Sequence, residues 1–235
     1  MALLEILPDS DPIMRKTSRR IKRVDKGLRQ LVEDMYETMA QNWGIGLAAI
    51  QVGVKKRLFV YEIPKRETRG YETCPPEGVK DEDERESDDA SAEEQEDAND
   101  ETPKLDPGYT GEYTVCINPK IISREGSFID DEGCLSREGW VAKVERAYEV
   151  TFQAYDLDMN LFEKTVTGLE ARCVQHEIDH MDGILFTDRA QKDTLREISE
   201  DAEDEAGEEE TVIKGEVILH ESEVSQPEES TVGSE

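Results

Sequence analysis

The sequence predicts an α+β fold in which antiparallel β-sheets pack around one late helix carrying two histidines. Three observations lead there. The stretch Gln175-His176-Glu177-Ile178-Asp179-His180 places two of the chain's 3 histidines four residues apart, inside a segment with helix start and stop signals. Between Trp140 and Val166, three runs rich in β-branched and aromatic residues follow one another across short turns, the pattern of an antiparallel sheet. Near the N-terminus, Leu28, Leu31, Val32, Met35 and Met39 recur at helical spacing and supply an amphipathic helix to cover such a sheet.

Taken in order, the chain opens with apolar and basic residues to Arg23, punctuated by Pro8 and Pro12, which predicts an extended arm with turns. Asp25 is placed to cap the first helix. Gly44 to Gln51 (GIGLAAIQ) nominally fits a dinucleotide fingerprint. That reading fails because a helix, not a strand, precedes it. No Gly-Lys-Ser/Thr follows to make a phosphate loop. The glycines then let backbone approach a ligand closely, or form a plain core turn.

Arg57 to Ile63 has strand composition and stops at Pro64. Strand character resumes from Tyr113 to Ile122 and again from Gly126 to Asp131. Trp140–Arg146, Tyr148–Tyr155 and Leu161–Val166 complete the sheet, with Asp156 to Asn160 as a hairpin turn. That turn begins like a calcium loop, but Leu161 and Thr167 occupy the positions that need Gly and Glu, so calcium binding is rejected. Thr167 and Glu170 have the spacing of a capping box for the late helix, and Gly183 stands at its expected stop.

The 235 residues suffice for one domain with a substantial core. The net charge of −29 is concentrated rather than spread. Asp81 to Glu101 contributes −12 and Glu197 to Glu235 contributes −14, which leaves the remainder close to neutral. Both stretches lack the apolar content to offset the entropy of ordering. The expected organisation is therefore a catalytic-sized domain over residues 1–190, interrupted by an acidic disordered insertion at about 65–111, and an acidic disordered tail over 191–235. Two readings of the acidic stretches stand, a solvating role and a dock for a basic partner.

Such acidity argues against direct nucleic-acid binding through phosphates. No run is long and apolar enough to span a bilayer, and no signal-like run opens the sequence, so a cytoplasmic protein without a membrane partner is expected. The cysteines at 74, 116, 134 and 173 show no close pairing and are expected as thiols.

The chemistry-bearing residues allow a sharp and a plain reading. On a helix, His176 and His180 share one face and can reach one cation, with Glu177 beside it as a general base. They can equally be ordinary core histidines. Cys134, in Glu132-Gly133-Cys134-Leu135-Ser136, is a small core residue or a third ligand, giving Cys-His-His and one open position. A downstream carboxylate, Glu197 or Glu200, would complete a protease-like site instead.

With GIGLAAIQ, EGCLS and QHEIDH in this order, the chain resembles the bacterial-type peptide deformylases over most of residues 1–64 and 112–190. The resemblance implies a metal-dependent hydrolase that removes the formyl group from the N-terminal formylmethionine of nascent polypeptides, at the ribosome, and releases formate. It implies Cys134, His176 and His180 as metal ligands, most often for Fe2+, with Zn2+, Ni2+ or Co2+ as substitutes. It implies that Glu177 takes the proton of the attacking water and passes it to the leaving amine. Gln51, through its side-chain amide, and Leu135, through its N–H, would hold the oxyanion. Ile45, Gly46 and Gly133 would pair with the extended substrate.

The chain also departs from the family. Glu138 stands where many members carry Pro, Val141 where they carry Arg, and Met159 where they carry Gly. These departures leave the ligand set intact but open a further reading, a deformylase-like scaffold that binds without turnover.

Overall fold

In the computed structural model, the described residues are 2–64 and 109–198. The bulk of the acidic insertion, Cys74 and the tail beyond Ile198 lie outside them. The first helix, α1 (Lys26–Gln41), is capped by the Asp25 carboxylate, which accepts from the Leu28 N–H at 2.9 Å. A five-stranded antiparallel sheet has the order β1-β2-β3-β6-β7, built from β1 (Gly46–Ala48), β2 (Leu58–Tyr61), β3 (Thr114–Glu125), β6 (Glu149–Tyr155) and β7 (Leu161–Thr167). A smaller sheet of order β4-β5-β8 joins β4 (Phe128–Glu132), β5 (Trp140–Arg146) and β8 (Arg196–Glu197). The late helix is α2 (Gly168–Asp182), followed by a single turn, α3 (Phe186–Arg189).

The alternation along β2 shows how the two cores divide. Leu58 and Val60 face the cluster that includes Leu28, Val32, Met35 and Met39 of α1. Phe59 and Tyr61 face the cluster that includes Val174, Ile178 and Met181 of α2. A strand covered on both faces reads as an unbroken apolar run, which is why Arg57 to Ile63 lacks alternation. The helix α2 is therefore buried nearly throughout, and its polar side chains lie inside the protein.

The N-terminal arm wraps the end of α2. The Ser18 N–H donates to Met181 O at 2.8 Å, and Asn118 bonds both backbone groups of Ile21 at 2.8 Å. Gly183 ends α2 at φ 77°, and a Cβ there would meet the Arg15 backbone at 2.9 Å. Glycine is required on both counts.

Some expectations need correction. The capping box does not form: Thr167 is the N-cap residue of α2, but its side chain makes no cap bond. Gly168 enters at φ 55° with its N–H bonded to Tyr148 O at 2.9 Å. Glu170 instead accepts from the Tyr61 hydroxyl at 2.7 Å and from the Lys164 ammonium at 2.6 Å.

Tyr109 to Gly111, expected within the insertion, lie against the domain. The Tyr109 hydroxyl donates to Gly44 O at 3.0 Å, and Glu62 accepts from the Thr110 N–H and hydroxyl at 2.6 and 2.7 Å. The described residues also continue past residue 190. Arg196 on β8 pairs with Asp131 through two bonds at 2.8 and 2.6 Å, and β8 lies beside Trp140 and Val141. The departure at 137–141 thus has a structural use, since Gly139 turns at φ 77° and the buried Val141 pairs in register with Arg196.

Candidate metal centre

Helical geometry brings the two imidazoles together. His176 and His180 lie one turn apart on α2, with ring centres 4.6 Å apart and planes at 84°. Cys134 enters from the end of β4, where the chain leaves the smaller sheet for the short helical turn Leu135–Arg137. Its Sγ lies 3.2 Å from His180 Nε2. One donor atom from each of Cys134, His176 and His180 falls within 4.8 Å of the others, and all three residues are buried. A thiolate and two imidazoles form a donor set suited to a divalent transition metal.

The surroundings orient and charge this cluster. His176 Nδ1 lies 2.7 Å from Glu132 Oε1, which leaves Nε2 for a metal. Arg146 bonds Glu132 at 2.9 and 2.5 Å, and Arg172 bonds it at 2.9 Å. Arg146 also donates to Asp179 at 2.5 Å. Burial pushes the Glu132 carboxyl up, but the Arg146 guanidinium and the His176 ring outweigh it and hold the group well below the usual carboxylate range. Burial holds His180 well below the usual imidazole range, so its ring stays neutral and can donate a lone pair. His180 Nδ1 is buried without a hydrogen-bond partner.

Glu177 is 3% exposed, and its Oε2 has no partner. Burial, the main cause, pushes its pKa up to about 7. A proton acceptor and donor matched to neutral pH is what general acid–base catalysis requires. Gly46 makes room for it. A Cβ at residue 46 would lie 2.6 Å from Glu177 Oε1 and 2.8 Å from Cys173 Sγ. The close approach that the glycines permit here is therefore to side chains of α2.

Gln51 stands at the end of the short helical turn Ala49–Val52. Its Oε1 accepts from the Ala48 N–H at 2.8 Å, which aims the amide nitrogen at the cluster. Nε2 donates to Ser136 Oγ at 3.3 Å and lies 3.6 Å from Cys134 Sγ. Leu135 follows Cys134 directly, as the first residue of its turn. A small cleft is lined by Ile45, Glu132, Gly133, Arg172, Cys173, His176 and Glu177. The donor cluster thus brings together Cys134, His176 and His180, and the adjoining cleft is lined by Ile45, Gly133, His176 and Glu177.

Glu197 does not supply the third ligand of the protease-like alternative. Glu197 is exposed on β8 and pairs with Trp140, and it is not among the clustered donors. Glu200 lies outside the described residues.

Sequence reasoning left Glu132, Arg146, Arg172, Cys173 and Asp179 without roles. Glu132 and Asp179 sit inside the two quoted motifs, and their positions within two residues of candidate ligands were the available signal. Arg146 and Arg172 carry no local signal. They belong to the centre only because β5 and α2 meet behind it.

The family model described as polypeptide deformylase matches residues 3–196. A peptide deformylase of Thermomicrobium roseum is 37% identical over 207 residues, 88% of this chain and 97% of that protein. One from Alkalilimnicola ehrlichii is 36% identical over 188 residues, 80% of this chain and 82% of its own. Among solved structures, a peptide deformylase from Legionella pneumophila superposes with a TM-score of 0.61 at 34% identity, covering 81% of this chain and 88% of that one. The Synechococcus elongatus peptide deformylase, solved in complex with actinonin, gives 0.60 at 30% identity, covering 81% of this chain and 80% of that one. Matched along nearly its whole described length in both sequence and fold, the chain belongs to the polypeptide deformylase family.

Proposed function

We propose that Cys134, His176 and His180 hold one Fe2+ ion, and that Glu177, Gln51 and Leu135 carry out deformylation beside it. As a member of this family the chain is a metal-dependent hydrolase that removes the N-formyl group from nascent polypeptides. The observation that carries the assignment of residues is the meeting of three donor atoms within 4.8 Å, with an unpartnered carboxylate oxygen on the residue next to His176.

When bound, a divalent cation supplies positive charge that polarises a carbonyl and makes water more acidic. Glu177 accepts the proton of the attacking water and returns it to the amine as the C–N bond breaks. Gln51 Nε2 and the Leu135 N–H donate to the oxyanion, each contributing about 3–4 kcal/mol of transition-state stabilisation. Among the described residues β1 is an edge strand, paired only with β2. An extended peptide can therefore add alongside Ile45 and Gly46, with Gly133 across the cleft.

Fe2+ follows from the resemblance of the motifs, and Zn2+, Ni2+ or Co2+ suit the same donors. The acidic stretches are read as solvating segments around one catalytic domain. The enzyme would meet its substrates in the cytoplasm, at the ribosome, without touching nucleic acid. No described helix is long and apolar enough to cross a membrane. The test is formate release from formyl-Met-Ala-Ser by metal-replete protein. Turnover is expected, and its absence would overturn the reading.

A further inference from the structure

On the deformylase reading, the two oxyanion donors come from stretches far apart in the chain. Gln51 belongs to the short helical turn Ala49–Val52, and Leu135 to the turn Leu135–Arg137. Such donors stabilise an oxyanion only when they are held in place before it forms. One tripeptide of the N-terminal arm bonds to both turns, and the mechanism makes no other use of it.

The Leu7 N–H donates to Gln51 O at 2.8 Å, and the Asp9 N–H donates to Ser136 O at 2.7 Å. Pro8 stands between them. Proline has no N–H, holds its own φ at about −65° and confines the residue before it to extended backbone. The two N–H donors are therefore spaced by a stiff segment. Between the turns, Gln51 Nε2 donates to Ser136 Oγ at 3.3 Å. Arm, first turn and second turn thus form one closed ring of hydrogen bonds.

A side-chain contact fastens the ring at Asp9. Arg137 Nη1 donates to Asp9 Oδ2 at 2.9 Å, with the two side chains 30% and 15% exposed. The Arg137 guanidinium carbon lies 4.9 Å from the centre of the Trp140 ring, which restricts its swing. The backbone N–H of Arg137 donates to Cys134 O at 2.8 Å and closes the turn that carries the Leu135 N–H.

We propose that Leu7-Pro8-Asp9 braces the two oxyanion donors against each other, with Asp9 and Arg137 as positioning residues that lock the brace. The inference rests on the deformylase reading of Gln51 and Leu135 and adds to it what sets their separation. Asp9 and Arg137 are not among the clustered donors, so they act on the rate through the backbone that carries Leu135.

The experiment measures kcat, KM and bound metal for formate release from formyl-Met-Ala-Ser by the metal-loaded full chain. Asp9→Asn and Arg137→Leu are compared, singly and together, with the wild type. Each single variant is expected to lower kcat per bound metal about tenfold, less than the loss of a whole donor. KM is expected to stay within about twofold, since the donors act after the substrate has bound. The double variant is expected to match the singles, because both changes remove one contact. Arg137→Lys, which keeps a cation for this single bond, is expected to recover most of the rate. Wild-type kcat in both single variants overturns the proposal. So does a loss that only follows metal content or the folded fraction, and so do losses that multiply in the double variant. A wild type that releases no formate is a different failure, which overturns the deformylase reading and the proposal with it.

Discussion

Glu132 Oε1 lies 2.7 Å from His176 Nδ1, and the same carboxylate receives two buried guanidinium groups, Arg146 and Arg172. A single side chain thus orients the ring of a candidate metal ligand and neutralises the charge behind it. Glu132→Gln keeps the shape but removes the charge. Metal affinity should fall about 10–100-fold. Stability should drop by about 3–5 kcal/mol, because buried Arg172 loses its carboxylate partner and Arg146 is left with Asp179. Metal titration and urea unfolding measure the two effects separately. Unchanged values in both would show that Glu132 is a bystander.

Glu177 is assigned to proton transfer, not to ligation. Glu177→Gln should retain the metal and lose turnover by about 10²–10⁴-fold. Metal analysis alongside formate release checks this. Wild-type rates in the variant would remove Glu177 from its role.

Gly46 has no freedom to carry a side chain. In Gly46→Ala the new Cβ would sit 2.6 Å from Glu177 Oε1. Turnover should fall about 100-fold through a small misplacement of the carboxylate. The fold should be weakened by about 1–3 kcal/mol. Ordinary kcat in a soluble Gly46→Ala protein would contradict the packing described.

Asp131 links β4 to β8. Burial pushes its carboxyl up, but the bonds from Arg196 and the charge of Lys143 outweigh it, so its pKa lies below the ordinary value. A depressed folded pKa contributes stability above the unfolded value, about 3.9, and loses it as the pH falls through the folded one. Wild type should therefore exceed Asp131→Asn in stability at pH 6, with the gap closing as the pH drops below about 4. Urea midpoints across that range check the sign. A gap that widens in acid would contradict the pairing.

Much of this architecture was legible in the letters because it follows periodicity. α1 with its Asp25 cap, β5 over Trp140–Arg146 and the stop at Gly183 are local signals, and all three appear as expected. β1 escaped notice since its three residues are all buried and show no alternation. β8 escaped because Arg196 and Glu197 look like the acidic tail until Asp131 and Trp140 are brought beside them.

The candidate ligands were visible as motifs, whereas the charges behind them were not. Arg146 sits in an ordinary strand, and its pairing with Glu132 and Asp179 exists only in three dimensions. The capping box misled for a related reason, because Glu170 had a stronger offer from Tyr61 and Lys164.

The most direct test is metal content measured on anaerobically purified wild type and Cys134→Ala, paired with formate release. One equivalent of divalent metal and full turnover in the wild type, with both lost in Cys134→Ala, is the predicted result. A variant that binds one equivalent as tightly as the wild type would show that the thiolate from β4 does not join the two imidazoles of α2 around a common ion.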